Sequence, residues 1–313
     1  TGGYIKNAVL AAVVRAVSRA SESITMADLE HGARLQIRLN ADQQGRIEHA
    51  EARLEDLVLP EDLRQRIRQF VDACRARSTI LNEWGLGKTL GKTRAMTAMF
   101  SGASGTGKTM AAEAIAGALE CPILRCPLSS VISKYVGETA KNIRDLFQLA
   151  REHRAVLVFD EADALFARRV AVHSSNDRFV NAETGALLTE IERHQGVVIL
   201  TSNLNEQIDP AFERRLQLRL TFPSPEYRAR LALWKGMFGP DAPLDSDVDL
   251  PSLSRCFELT GGLIRNAVVA AALEAASMPS GQRRISQNML ERAAAEQMRI
   301  PVEMIQGQAI GTA

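Results

Sequence analysis

The middle of the chain alternates short apolar runs with longer stretches of helical spacing. Ala95–Phe100, Ile123–Cys126, Val156–Asp160, Val197–Ser202 and Gln217–Phe222 are the runs. All are short enough for strands, and Ala95–Phe100 and Val156–Asp160 are apolar enough to be buried. Ala-rich or amphipathic segments such as Met110–Leu119 separate them. From Ile80 to Phe222 this order predicts a parallel α/β sheet, with the core module at 81–222. After Phe222 the strand signal stops. Ser224-Pro225-Glu226 predicts a helix start, with Ser224 as N-cap and Pro225 at the first helical position. Residues 223–313 predict a small all-α domain.

Residues 44–80 are charged, with Leu54, Leu57, Val58, Leu63, Ile67, Phe70 and Val71 at helical spacing and Pro60 near a helix start. They predict linker helices. Arg64, Arg66, Arg68, Arg75 and Arg77 read as a solvated helix face rather than a nucleic-acid patch.

The two ends repeat each other. Thr1–Val9 reads T-G-G-Y-I-K-N-A-V and Thr260–Val268 reads T-G-G-L-I-R-N-A-V; 11 of the first 18 residues match at an offset of 259. The match resumes at Ile24-Thr25 against Ile285-Ser286. Thr25 and Ser286 predict N-caps, with Ile24 and Leu29, or Ile285 and Leu290, as hydrophobic staples. The expectation is a tandem array in which 1–43 is the helical tail of an upstream module.

At 313 residues with net charge +1, the chain has no basic field that advertises nucleic acid. No apolar run reaches a membrane span. Cys74, Cys121, Cys126 and Cys256 are too scattered for a disulfide framework or a zinc site, which points to a reducing, cytoplasmic setting.

The chemistry begins at Gly102, Ala103, Ser104, Gly105, Thr106, Gly107, Lys108 and Thr109, which fill the pattern G-x-x-x-x-G-K-[ST]. Such a loop turns successive N–H groups onto an anion, and the helix opening at its end, through Met110, adds its positive pole. Lys108 is expected on the β- and γ-phosphates and the Thr109 hydroxyl on Mg²⁺. Gly87-Lys88-Thr89 and Gly91-Lys92-Thr93 lack the upstream glycine and read as connecting segments. The strand Val156–Asp160 ends in Asp160-Glu161 at the sheet edge where ligands bind. Asp160 is expected to hold Mg²⁺ and Glu161 to act as general base. Asn203 ends the next strand and is placed to orient water. Arg214 and Arg215 precede the last strand and suit a guanidinium offered to a neighbouring subunit. Arg265 is placed to fold over the nucleotide, and Lys6 is its counterpart in the first copy. Lys134-Tyr135-Val136-Gly137-Glu138 reads as a loop displaying an aromatic grip.

Together these residues resemble the AAA ATPases over roughly residues 80–300. In the family's terms, Gly102–Thr109 looks like Walker A and Val156–Glu161 like Walker B. Asn203 looks like sensor 1, Arg214 or Arg215 like the arginine finger, Arg265 like sensor 2, and Lys134–Gly137 like the pore loop. The resemblance implies a P-loop α/β fold with a five-stranded sheet of order 5-1-4-3-2, counted from the phosphate-loop strand, and a helical lid. It also implies ATP and Mg²⁺ as ligands, a homo-hexameric ring, and a protein substrate gripped in the pore by Tyr135-Val136. Adenine is expected by analogy near Trp84-Gly85-Leu86, with Gly85 in contact. The strings W-G-L-G, S-K-Y-V-G-E-T, F-D-E-A-D-A-L-F, A-F-E-R-R and G-G-L-I-R-N-A resemble bacterial tandem-module members, some encoded beside contractile injection systems. Two other functions compete: an ATP-dependent assembly switch or scaffold, and a DNA-handling motor. Asp160, Glu161 and the arginine pair argue against the first, and the near-neutral charge against the second.

Overall fold

The computed structural model describes residues 2–18, 23–26, 28–29, 46–86, 95–127, 131, 138–163, 185–203, 213–279 and 281–307. A six-stranded sheet lies at its centre. Its strands are β1 (Arg46–Glu48), β2 (Met96–Gly102), β3 (Ile123–Pro127), β4 (Val156–Asp160), β5 (Val197–Ser202) and β6 (Leu218–Phe222), in the order β1-β3-β4-β5-β2-β6. β2 to β6 are mutually parallel, and counted from β2 their order is 5-1-4-3-2. β1 pairs antiparallel with β3 on the outer edge.

Side-chain alternation along each strand splits the core into two layers. Leu157 and Phe159 of β4 face one side, with Ile143, Leu146 and Phe147 of α4 (Glu138–His153; α1 to α3 follow below) and Leu187 and Ile191 of the helical segment 185–193. Val156 and Val158 face the other. There they meet Ala111, Ala112 and Ile115 of α3 (Lys108–Ala118) and Leu63, Ile67, Phe70 and Val71 of α2 (Glu61–Ser78).

Within residues 46–78, β1 joins the sheet and the apolar face of α2 packs on the core. β1 escapes sequence reading because R-I-E has one apolar residue, and three residues are the usual length of a protected edge. Its anchors are polar. Arg125 lies 3.6 Å from Glu48 and pairs with Glu113. Glu113 accepts the N–H groups of Glu51 and Ala52 at 3.0 and 3.3 Å. Burial opposes ionisation there, yet these two N–H groups and Arg125 hold the carboxyl below the usual range. Arg66, Arg68 and Arg75 of α2 are exposed, as a solvated face requires, and three of its arginines also reach backbone carbonyls of neighbouring elements. Arg66 donates to Arg219 O at 2.8 Å, Arg75 to Ala118 O at 2.6 Å, and Arg77 to Gln195 O.

The chain after β6 forms its own helical cluster from α5 (Tyr227–Gly236), α6 (Leu250–Cys256), α7 (Gly261–Ser277) and α8 (Gln287–Gly307). Trp234, Ile264, Ala267, Ala271 and Leu290 fill its centre. α5 starts at Tyr227 with Glu226 as N-cap, two residues beyond the Ser224 cap expected from sequence. The buried Arg230 guanidinium takes the Pro225 carbonyl at 2.8 Å and the Ser254 carbonyl at 2.9 Å. That holds 224–225 extended. At the other end of the chain, α1 (Gly2–Ser18) has the same 17-residue length as α7. Thr25 N–H and Thr25 Oγ1 both donate to the Asp28 carboxylate, at 2.9 and 2.6 Å, the reciprocal half of a capping box, while Ser286 Oγ accepts the Met289 N–H at 3.5 Å. Among the described residues, no helix is long and apolar enough to cross a membrane.

His194, between 185–193 and β5, is 1% exposed, and neither ring nitrogen has a hydrogen-bond partner among the described residues. Burial, then Arg151 and Arg77, pushes its pKa down from 6.5 to about 4. The fold holds the neutral ring, so its contribution is complete above pH 6.5 and drains as the pH falls toward 4. At pH 5 the loss is about 2 kcal/mol. Thermal midpoints of the wild type and His194→Leu, compared at pH 7 and pH 5, are expected to show a smaller acid drop in the variant. Equal drops would remove His194 from the account.

Candidate functional site

All five parallel strands end at one edge, where the phosphate loop leaves β2. Gly102 pairs with Phe222 at that point. A Cβ on Gly102 would lie 2.3 Å from the Phe222 carbonyl oxygen, so no side chain fits there. Gly107, the N-cap of α3, has φ of 99°, while a Cβ there would meet nothing within 4 Å. The backbone needs the left-handed conformation, and the space above it is open. Thr106 Oγ1 braces the loop on Ala103 O at 2.9 Å.

Lys108 folds back into the loop. Its Nζ donates to Gly102 O at 2.7 Å, Ala103 O at 2.8 Å and Asn203 Oδ1 at 2.9 Å. Burial lowers its pKa, against the pull of Asp163 and Asp160. Thr109 Oγ1 donates to Asp160 Oδ1 at 3.1 Å. The β5 tip joins from the other side: Thr201 Oγ1 donates to the same Asp160 oxygen at 2.7 Å, and Ser202 Oγ bonds Asp163. Asn203 N–H reaches Asp163 Oδ1 at 2.8 Å. Lys108, Thr109, Asp160, Glu161 and Asn203, read from three separate stretches of sequence, therefore meet at one place.

The helical domain closes over them. Gly262 N–H, at the start of α7, donates to Gly105 O at 3.0 Å. A Cβ on Gly262 would sit 3.0 Å from Gly105 Cα, so the paired glycines let the helix end rest on the phosphate loop. Between the domains lies a cleft of about 930 Å³ lined by Ser104–Met110, Asp160, Glu161, Thr201, Asn203, Gly261, Gly262 and Arg265. Its size suits a small-molecule site.

Sequence reading misses the cleft's far wall. Asp56, Leu57, Val58, Leu59 and Pro60 line it, with Ser224–Glu226 and Leu233 and Met237 of α5. The D-L-V-L-P run was the available signal, but its apolar residues also fit helical spacing. Gly85, expected beside adenine, is not among the residues lining this cleft, nor are Trp84 and Leu86. Trp84 is exposed. Arg214 and Arg215 lie outside it too, on the turn before the edge strand β6. Arg214 is exposed. Arg215 is held by Glu192, its Nε 2.8 Å from Oε1. Lys6 is exposed on α1. Lys134, Tyr135, Val136 and Gly137 fall outside the described residues.

Residues 98–224 match the sequence family described as "ATPase family associated with various cellular activities (AAA)". This segment is similar to the AAA ATPase domain. It spans β2 to the start of the cleft's far wall and carries all the nucleotide-binding loop. The chain is 35% identical over 181 residues to the proteasome-activating nucleotidase of Aeropyrum pernix, covering 56% of this chain and 44% of that protein. It is 34% identical over 155 residues to the probable 26S proteasome regulatory subunit 10B of Caenorhabditis elegans, covering 47% of this chain and 38% of that one. A longer match, 29% over 246 residues, joins it to the 26S proteasome regulatory subunit 6B homolog of Saccharomyces cerevisiae, with 75% of this chain and 55% of that protein covered. The chain spans about half or less of the length of these relatives. The last match is longer than the segment that matches the family.

Proposed function

We propose that the chain is an ATP-hydrolysing ring motor that remodels or unfolds protein substrates. The observation that carries this is the convergence of Lys108, Thr109, Asp160, Glu161 and Asn203 on one cleft beneath the helical lid. The donor set fits a nucleotide triphosphate with a divalent cation. The loop above Gly107 is open to phosphates, and the Lys108 amine sits on carbonyl oxygens that phosphate oxygens can replace. The Thr109 hydroxyl and Asp160 carboxylate would hold Mg²⁺, whose charge stabilises the phosphoryl group in flight. Glu161 takes the proton of the attacking water, and Asn203, released from Lys108, holds that water in line. Arg265 reaches over the phosphates from the lid. The apolar wall of Leu57, Val58, Leu59, Leu233 and Met237 suits the adenine ring.

The partners in this reading are further copies of the chain in a homo-hexameric ring and a protein threaded through it. Lys134, Tyr135, Val136 and Gly137 grip the substrate. Relatives named for proteasome activation and regulation support a protein substrate. Four free cysteines suit a cytoplasmic setting. The likeness of 1–18 to 260–277 supports a helical lid unit at 1–43 belonging to a second module. With the motif strings, it favours bacterial tandem-module AAA proteins of the kind sometimes encoded beside injection systems.

Tyr135→Ala tests the motor. Unfolding of a fluorescent protein substrate is expected to be lost, while phosphate release stays within about threefold of wild type, since the proposed phosphate and metal groups come from other stretches of the chain. Undiminished unfolding would remove the pore role and leave an assembly switch.

A further inference from the structure

We propose that Thr201 is a positioning residue that sets both acids at the β4 tip. The inference rests on the reading of this cleft as an ATP-hydrolysing site. Thr201 is 3% exposed. Phe159 stands beside Leu200 in the parallel ladder, so the next residues, Asp160 and Thr201, are neighbours. The Thr201 hydroxyl donates its one proton to Asp160 Oδ1 at 2.7 Å and accepts the Glu161 N–H at 3.3 Å. Its carbonyl accepts the Ala162 N–H at 2.8 Å. One residue thus holds three consecutive residues of the acidic tip.

The middle one needs holding. Glu161 has φ of 54°, in the left-handed region that a residue with a side chain rarely adopts. Such a conformation persists where its surroundings over-determine it. The direction of the Glu161 carboxylate follows from this turn, and the turn is tied to Thr201.

The hydroxyl also divides the labour of Asp160. Oδ1 receives Thr201 and, at 3.1 Å, Thr109. If Thr109 were to hold a divalent cation, Thr201 would be the donor remaining on Oδ1, and it would fix the orientation of the Asp160 carboxylate toward that cation. Outer hydrogen bonds of this kind commonly change metal affinity or turnover by about tenfold or more.

Valine at this position keeps the shape of threonine and the carbonyl bond to Ala162, and removes only the two hydroxyl contacts. Serine restores them. The test uses the full chain with Thr201→Val and Thr201→Ser, and Mn²⁺ as the probe ion. Mn²⁺ binding in the presence of ADP is followed by electron paramagnetic resonance, beside phosphate release, affinity for a fluorescent ADP without metal, and the thermal midpoint. The valine variant is expected to bind metal-free ADP like wild type, need about tenfold more Mn²⁺, and turn over about tenfold more slowly at saturating metal. The serine variant recovers both. Wild-type Mn²⁺ affinity and turnover in the valine variant would overturn the proposal, as would a serine variant as impaired as valine. If the valine variant does not fold, Thr201→Ala against Thr201→Ser makes the same comparison. A wild type that binds Mn²⁺·ADP but releases no phosphate would sink the hydrolytic reading, and the Mn²⁺ arm would still judge Thr201.

Discussion

Arg214→Ala is expected to lower ATP hydrolysis per subunit by about 10³-fold while nucleotide binding stays near wild type. A guanidinium supplied from a neighbouring subunit to phosphoryl transfer is worth roughly 10³ to 10⁵ in rate. Two adjacent arginines leave the choice open in sequence, and their exposure differs. Arg215 is half-buried against Glu192, with its Nε 2.8 Å from the carboxylate. Moving it into another subunit's site would break that pair. Arg214 is exposed on the same turn, beside β6 at the sheet's outer edge, and does not line the cleft of its own chain. In the proposed ring, that edge would offer it to a neighbour. Phosphate release per subunit, measured against protein concentration, is expected to climb steeply for wild type and stay flat for Arg214→Ala. Arg215→Ala is expected to lose about 1 kcal/mol of stability and keep most of the rate of its folded fraction. The reverse pattern would exchange the two assignments. A wild-type rate independent of concentration would end the shared-site reading for both.

What sequence revealed follows from what each residue contributes. The strands of 156–160 and 197–202 are legible because burial on both faces forbids polar residues along them. The phosphate loop is legible because its chemistry needs particular residues at fixed spacing. Gly102 cannot carry a Cβ against Phe222, and Gly107 must be left-handed. The order of the five strands did not come from periodicity, which is blind to pairing; it came with the resemblance. β1 was hidden because its pairing with β3 is backbone to backbone and its anchors are the charged Arg125 and Glu113. The carbonyl contacts of the α2 arginines were hidden for a related reason. A guanidinium that caps core carbonyls and one that faces water leave the same mark in a sequence. The far wall at Asp56–Pro60 offers apolar surface rather than reactive groups, so a search for chemistry passes over it. Thr201 was overlooked because a threonine in a strand is ordinary until its hydroxyl is seen between Asp160 and Glu161.

Glu161→Gln is expected to keep ATP bound and cut hydrolysis by about 10² to 10⁴-fold, the range a general base contributes. The argument depends on what holds the residue. No hydrogen bond from the Glu161 carboxylate fixes the acidic tip among the described contacts. The tip is fixed by the Glu161 and Ala162 N–H groups on Thr201. Glutamine keeps those backbone bonds and the side-chain length, so the turn survives and only the capacity to take a proton is removed. Lys108→Ala should behave differently. It removes the cation that the loop carbonyls and Asn203 now hold, and with it the charge that meets the phosphates, so binding and hydrolysis fall together. Retained nucleotide on the washed protein, set beside phosphate release, separates the two. In the ring-motor reading, the Glu161→Gln protein also stays assembled at concentrations where wild type, after hydrolysing its ATP, has come apart. Sedimentation in excess ATP reads that difference directly. Hydrolysis at the wild-type rate would remove Glu161 from the base's role. Lost binding would mean that the carboxylate itself holds the site together, against the contacts seen at Thr201.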